Sequence, residues 1–101
     1  MRFLLKAVVP VEAGNRGVKD GSLGARLKQV KEELKPEAAY FYAEDGKRTS
    51  LMVIDLKDAS QIPAVAEPFF LGLNAHVELH PIMGPEDLAK AGLENLAKKW
   101  G

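Results

Sequence analysis

Two β-rich segments, residues 37–43 and 48–56, are separated by the dipeptide Asp45-Gly46. Asp-Gly between such segments is a strong signal for a two-residue hairpin turn, because the turn requires positive φ angles that these residues adopt readily. The turn fixes a register in which Glu44 pairs with Lys47, and this register decides which side chains share a face of the sheet. The middle of the chain is therefore predicted to be an antiparallel hairpin.

Amphipathic helical patterns lie on both sides of this hairpin. Before it, residues 12–34 carry apolar side chains at helical spacing, namely Leu23, Leu27, Val30 and Leu34. A break in this helix is predicted near Gly21, with Ser22 capping its second half. After the hairpin, Asp58 and Gln61 match a capping box. They precede a wide apolar helical face formed by Ile62, Val65, Ala66, Phe69, Phe70 and Leu73.

Two residues are predicted to limit this second helix, and one more helix follows it. Pro68 should kink or shorten the second helix, and Gly72 is a plausible end for it. Gly84-Pro85 then opens a last helix, whose inner stripe is predicted to be Leu88, Gly92, Leu96 and Trp100.

Two more strands complete the alternation. Residues 2–9 are β-rich and stop at Pro10, and residues 74–82 alternate between polar and apolar side chains. The order β-α-β-β-α-β-α predicts one α+β domain over residues 1–101. Its fold class is the ferredoxin-like split βαβ arrangement, a four-stranded antiparallel sheet with helices on one face and an added C-terminal helix.

Composition excludes several classes of partner. Lys+Arg and Asp+Glu number 14 each, whereas a nucleic-acid-binding domain usually has a clear basic excess. Cysteine is absent, which excludes disulfides, thiolate catalysis and Cys-based metal sites. The apolar runs are too short to cross a bilayer, and no signal peptide is legible. We therefore expect a cytoplasmic protein that binds neither nucleic acid nor membrane.

One face of the predicted sheet has no helix to cover it. The hairpin register turns Ala39, Phe41, Ala43, Met52 and Ile54 toward the helices. The opposite side, called the open face from here on, consists of Leu4, Lys6, Val8, Tyr40, Tyr42, Leu51, Val53, His76, Glu78 and His80. It is too apolar for water and too polar for a core. A second copy packed against it would leave an apolar cavity with a few polar groups, so we predict a homodimer that binds a small molecule.

A sequence pattern that extends over nearly the whole chain is similar to that of a known protein family. Its segments are PVEAGN (10–15), KDGSL (19–23), EELKPEAAYF (32–41), ASQIPAVAEPFF (59–70) and HPIMGPEDL (80–88). The pattern resembles a family of small uncharacterised bacterial proteins, which implies the dimeric α/β barrel, a ferredoxin-like dimer. The wider superfamily includes cofactor-free oxygenases of polyketides and quinols, muconolactone isomerase, haem-degrading monooxygenases and proteins that only bind small molecules.

The resemblance does not extend to haem. The haem degraders place an Asn, a Trp and a His around the porphyrin. Here Asn74 and His76 are predicted on one strand, and the only tryptophan is Trp100. This mismatch argues against haem, and we predict no cofactor.

His76, Glu78 and His80 are predicted to point to the same side of the last strand. Two imidazoles and a carboxylate suit Zn²⁺ or Fe²⁺, but at about 3.3 Å per residue the histidine Cα atoms are about 13 Å apart. We therefore predict no metal. As acid–base groups they fit better, because an imidazole titrates near neutral pH and Glu78 could fix its tautomer. These three residues are the candidate catalytic residues.

Lys6, Tyr40, Tyr42 and Asn74 complete the predicted ligand-binding set with those three. Lys6 could neutralise an anionic substrate, and the tyrosines could donate hydrogen bonds to its oxygens. Three functions stay open. The first is a small-molecule-binding homodimer, and the second is a cofactor-independent oxygenase or isomerase with His76 or His80 as base. The third is a purely structural or regulatory dimer whose open face is filled by packing alone, with Lys6 and Glu78 as a buried pair.

Overall fold

A computed structural model describes residues 1–101, and its elements alternate as the patterns predict. The strands are β1 (Arg2–Val9), β2 (Ala38–Glu44), β3 (Lys47–Asp55) and β4 (His76–Pro81). The helices are α1 (Val11–Asp20), α2 (Ser22–Leu34), α3 (Ile62–Leu73), α4 (Pro85–Lys90) and α5 (Leu93–Trp100), with a short 3-10 turn at Ala59–Gln61.

The four strands form one antiparallel sheet in the order β2-β3-β1-β4. The α+β class and the four-stranded antiparallel sheet are therefore confirmed, and the arrangement broadly fits a ferredoxin-like fold. The predicted hairpin register is confirmed, since Glu44 pairs with Lys47 and Tyr40 with Leu51. Asp45 and Gly46 both have positive φ, +51° and +75°, which is the backbone that this two-residue turn needs.

The core lies between one face of the sheet and helices α1–α3. Alternate residues of β1 and β3 supply its sheet side, and α2 and α3 supply its helix side. Its most buried members are Leu5, Ala7, Met52, Ile54, Val65 and Phe69. The predicted stripe of α2 packs here. Val30 is buried, and Leu23, Leu27 and Leu34 are partly buried.

The first helical segment breaks where the glycines predict, but a different residue caps it. Gly21 has a φ of +82° and separates α1 from α2. The backbone N–H of Ser22 donates to Asp20 Oδ1 at 2.8 Å, so the capping side chain belongs to Asp20. The prediction that Ser22 caps α2 is therefore wrong, because an aspartate two residues earlier already reaches the free N–H.

The capping box before α3 is confirmed, whereas the end of α3 differs from the prediction. The backbone N–H of Ser60 donates to Asp58 Oδ1, and the backbone N–H of Asp58 donates to Gln61 Oε1. Pro68 lies inside α3 and does not shorten it, and the helix runs past Gly72. Asn74 ends it in the left-handed conformation, which Asn tolerates well.

The segment after β4 differs from the single packed helix that was predicted there. Two helices, α4 and α5, replace the single predicted one, because Gly92 has a φ of +70°. The predicted inner stripe does not pack on the core, since Leu88, Leu96 and Trp100 are all exposed. No helix of the chain combines the length and the apolar character that crossing a membrane requires.

Candidate functional site

The register places the predicted polar residues in neighbouring rows of the open face. Lys6 on β1 lies between Leu51 of β3 and Glu78 of β4. The flanking rows place His76 beside Val8 and His80 beside Leu4. No helix covers these rows, so the open face meets solvent in the single chain.

Glu78 joins the two histidines. Its Oε1 lies 3.0 Å from His80 Nε2, and its Oε2 lies 3.6 Å from His76 Nε2. Since an ionised carboxylate can only accept, Nε2 of His80 carries the proton of this hydrogen bond. The Nδ1 atom of His80 then has a free lone pair, which is the form of imidazole that acts as a base.

A second group of contacts centres on Glu44, which the sequence analysis did not select. Lys6 Nζ forms an ion pair with Glu44 Oε2, and the Tyr42 hydroxyl donates to Glu44 Oε1 at 2.9 Å. Glu44 was considered only as part of the hairpin turn. Its parity with Tyr42 on β2 is the signal that could have placed it on the open face.

These contacts shift the ionisation of four groups. Hydrogen bonds from Lys6 and Tyr42 lower the pKa of the Glu44 carboxyl, because they stabilise its charged form. The same bonds raise the pKa of the Lys6 ammonium and the pKa of the Tyr42 hydroxyl. The hydrogen bond from His80 lowers the pKa of the Glu78 carboxyl. Lys6 and both carboxyls are therefore charged at neutral pH.

The charge of this cluster differs from the one that the sequence suggested. Lys6 was expected to be a free cation for an anionic substrate, but its ammonium already pairs with Glu44. Two carboxylates against one ammonium leave a formal charge of −1 when both histidines are neutral. The open face therefore offers hydrogen-bond acceptors and a candidate base, and it lacks an unpaired cation.

Two other predicted ligand-binding residues lie apart from this cluster. Tyr40 is on the open face, but it is 65% exposed and makes no side-chain hydrogen bond. Asn74 was predicted on the last strand, yet β4 begins at His76 and Asn74 caps α3. That placement is wrong, because the left-handed turn at Asn74 is needed to end the helix before the strand can begin.

No group of three or more His, Cys, Asp or Glu side chains is arranged to hold a metal ion. His76 and His80 both turn toward the carboxylate between them. The three residues thus form a row in which Glu78 is hydrogen-bonded to His80 and lies 3.6 Å from His76.

An apolar groove that the sequence analysis missed lies on the helix side of the sheet. It has a volume of about 410 Å³, and its walls include Leu23, Leu27, Phe41 and Phe69. Arg48 lines the groove, where its Nη1 donates to Asn15 Oδ1 at 3.1 Å. Phe41 was predicted to lie under the helices but is 53% exposed, because β2 is an edge strand that the helices only partly cover.

Comparison with known proteins identifies no relative of this chain. No protein-family model matches it, and no curated protein matches it at a significant level.

Proposed function

We propose that two copies of this chain pack their open faces together and enclose a small molecule between them. The observation that carries the proposal is a polar cluster within a largely apolar sheet face that no other part of the chain covers. Burying such a face needs a second surface, and the polar groups would then line an enclosed cavity. The resemblance to the dimeric α/β-barrel family supports the same arrangement, and the proposal places this dimer in the cytoplasm.

The charge of the cluster favours one class of ligand. Since Lys6 is neutralised by Glu44 and Glu78 adds a second carboxylate, a carboxylate ligand would meet net repulsion on entering a poorly hydrated cavity. A neutral molecule with hydroxyl or phenol donors can instead donate to Glu78, to Glu44 or to Nδ1 of His80. We therefore propose a small hydroxylated aromatic or alicyclic molecule.

The dimer is tested by a charge placed at the centre of the open face. Leu51→Asp puts a carboxylate on an inner strand of the sheet, next to Lys6 and Tyr40. We expect the dimer dissociation constant to rise by at least about 100-fold, the loss typical of a central interface residue. Leu71→Asp is the matched control, because Leu71 is 82% exposed on α3 and should leave the constant unchanged. Sedimentation equilibrium measures both, and circular dichroism checks that each variant folds.

The ligand class is tested by NMR titration of the ¹⁵N-labelled chain with catechol and with benzoate. Catechol should shift the amides of Lys6, Glu78 and His80, and benzoate should shift them far less. Shifts confined to the helix-side groove, around Leu27 and Phe41, would contradict the proposed location. A dimer whose open-face amides respond to neither compound would favour the structural-dimer alternative.

A catalytic role for His80 is the second candidate function. It is favoured by the 3.0 Å contact between Glu78 and Nε2 of His80, since the carboxylate both fixes the tautomer and stabilises the imidazolium that forms. The reaction class would be isomerisation of a phenol-like substrate, or its cofactor-independent oxygenation with dioxygen as the oxidant. For a substrate found by oxygen uptake or absorbance screening, His80→Ala should lower kcat/KM by about 10²-fold or more. Unchanged turnover in this variant would remove His80 as the base.

A further inference from the structure

Residues 84–101, called the arm from here on, project away from the rest of the molecule. The molecule measures 57 × 28 × 20 Å, so its long axis is about twice its second. Its radius of gyration is 16.7 Å, against about 13 Å for a compact chain of this length. No residue of the arm is buried, and Trp100 is 77% exposed.

Helix α5 of the arm has an apolar stripe that no other helix or strand of the chain covers. Leu93, Leu96 and Trp100 recur at i, i+3 and i+7 and so share one side of the helix. The other side is polar and includes Lys98, whereas Lys99 flanks the stripe with its Nζ 5.2 Å from the centre of the Trp100 ring. An isolated helix of eight residues is marginal in water, because its few hydrogen bonds cannot offset the cost of nucleation. The stripe therefore needs a surface to pack against.

We infer that the arm of one protomer crosses to a second copy and packs the α5 stripe on that copy's open face, where Trp100 forms part of the wall of the ligand cavity. This inference rests on the proposed dimer. The arm follows directly from β4, the edge strand that carries His76, Glu78 and His80. It therefore begins beside the surface that the dimer would bury.

The area of the open face supports this role for the arm. Four strands about 4.8 Å apart and six to nine residues long give a sheet of about 400–550 Å² in plan. A stable interface buries about 800 Å² on each partner. Even with the relief that side chains add to this plan area, the sheet faces alone give at most an interface of about this size, and two crossing arms supply additional apolar area from the same chain.

Charge complementarity supports the same partner. The formal charge of Lys6, Glu44 and Glu78 together is −1, whereas α5 carries Lys98 and Lys99 against a single Glu94. An arm whose stripe lies on the partner's open face would bring Lys99 to the edge of that face, because its Nζ lies beside the stripe, 5.2 Å from the centre of the Trp100 ring. The pairing is between two parts of one sequence, which is what a symmetric dimer with exchanged arms requires.

Tryptophan fluorescence tests the docking directly, because Trp100 is the only tryptophan of the chain. On dilution of the dimer, the Trp100 emission should shift to longer wavelength with the dissociation constant that sedimentation gives. Leu96→Asp should raise that constant at least about 10-fold, since it places a charge in the stripe. Asn95→Asp adds the same charge to the polar side of α5 and should change the constant less than about 2-fold.

A mixing experiment shows which chain the arm contacts. The chain has no cysteine, so Tyr40→Cys in a Trp100→Phe background takes a single bimane label on the open face. Bimane is quenched by contact with tryptophan, and unlabelled wild-type chain should therefore quench the label. Unlabelled Trp100→Phe chain should not. The inference is supported if the unlabelled wild-type chain quenches the label and Leu96→Asp raises the dimer dissociation constant.

Other outcomes overturn it in distinguishable ways. If the wild-type chain is a dimer but neither quenches in trans nor responds to Leu96→Asp, the arm inference fails and the proposed dimer stands. A second labelled chain carries Tyr40→Cys and retains Trp100. If its bimane is quenched at every dilution, the arm folds onto its own sheet. A chain that is monomeric at all concentrations overturns both proposals.

Discussion

The two faces of the sheet use alternate residues of the same strands, but the chain buries only one of them. On the helix face Leu5, Met52 and Ile54 are at most 1% exposed. On the open face their strand neighbours Leu51 and Val53 are only partly covered, by the side chains beside them. Both faces are rich in apolar residues, so hydrophobicity alone does not separate them. The difference is whether a helix of the same chain lies over the face.

The consequence concerns which surface holds the protomer together. Fully burying a large apolar side chain contributes about 1.5–3 kcal/mol, and that contribution is complete only on the helix face. Residues of the open face should therefore matter little to the unfolding of one chain and much to its association. This contrast, the turn that sets it and the polar cluster of the open face are tested below, beginning with the largest expected effect.

Phe69→Ala should produce the largest loss of stability. Phe69 on α3 is 0% exposed at the centre of the core, and truncation of a buried phenylalanine costs about 3–5 kcal/mol. Urea unfolding measured below the dimer dissociation constant gives the free energy of unfolding of the protomer. The matched aromatic variant is Tyr40→Ala on the open face, which should cost less than about 1 kcal/mol in the same measurement. Equal losses for the two variants would contradict the contrast between the faces.

A substitution in the hairpin turn should lower the free energy of unfolding less, although the turn determines which residues belong to each face. Gly46 has a φ of +75°, and a Cβ in left-handed backbone costs about 1–2 kcal/mol. Gly46→Ala should therefore lower the free energy of unfolding by about that amount. Gly24→Ala is the control, because Gly24 lies exposed in α2 with open space around it. It should raise stability by about 0.5 kcal/mol through helix propensity. A destabilisation of the same size in both variants would show that φ is not the cause.

The sequence predicts the division between the faces well, for a local reason. Asp45-Gly46 admits one tight turn, and a strand's period of two then assigns every side chain of β2 and β3 to a face. Lys6 and Glu78 are neighbours because β1 lies beside β3 of the hairpin and β4 lies beside β1. The turn fixes only the register of β2 against β3, so the face of each hairpin residue could be predicted, whereas the row that Lys6 shares with Glu78 is known from the structure.

Contacts between long side chains, the exact ends of helices and the packing of the arm could not be predicted in the same way. Glu44 pairs with Lys6 diagonally across β3, and row-by-row pairing does not include such diagonal contacts. Asn74 has the same parity along the chain as His76, but it ends α3 and therefore lies before β4 begins. The stripe of α5 has a clear helical period, yet a period shows only that one side is apolar and does not show what covers it. Periodicity thus identifies the arm without giving its partner.

The smallest effect we expect is the pH dependence that the open face contributes through Glu44. Lys6 and Tyr42 lower the pKa of the Glu44 carboxyl in the folded chain, so the stabilisation is complete above the unfolded pKa of about 4.3. It is lost as pH falls through the folded pKa, because the unfolded chain binds the proton more readily. Glu44→Gln should therefore flatten the decline in the free energy of unfolding below about pH 5. Tyr42→Phe keeps the Lys6 pair and should flatten it less. Identical pH slopes in all three proteins would show that the Lys6–Glu44–Tyr42 contacts do not form in solution.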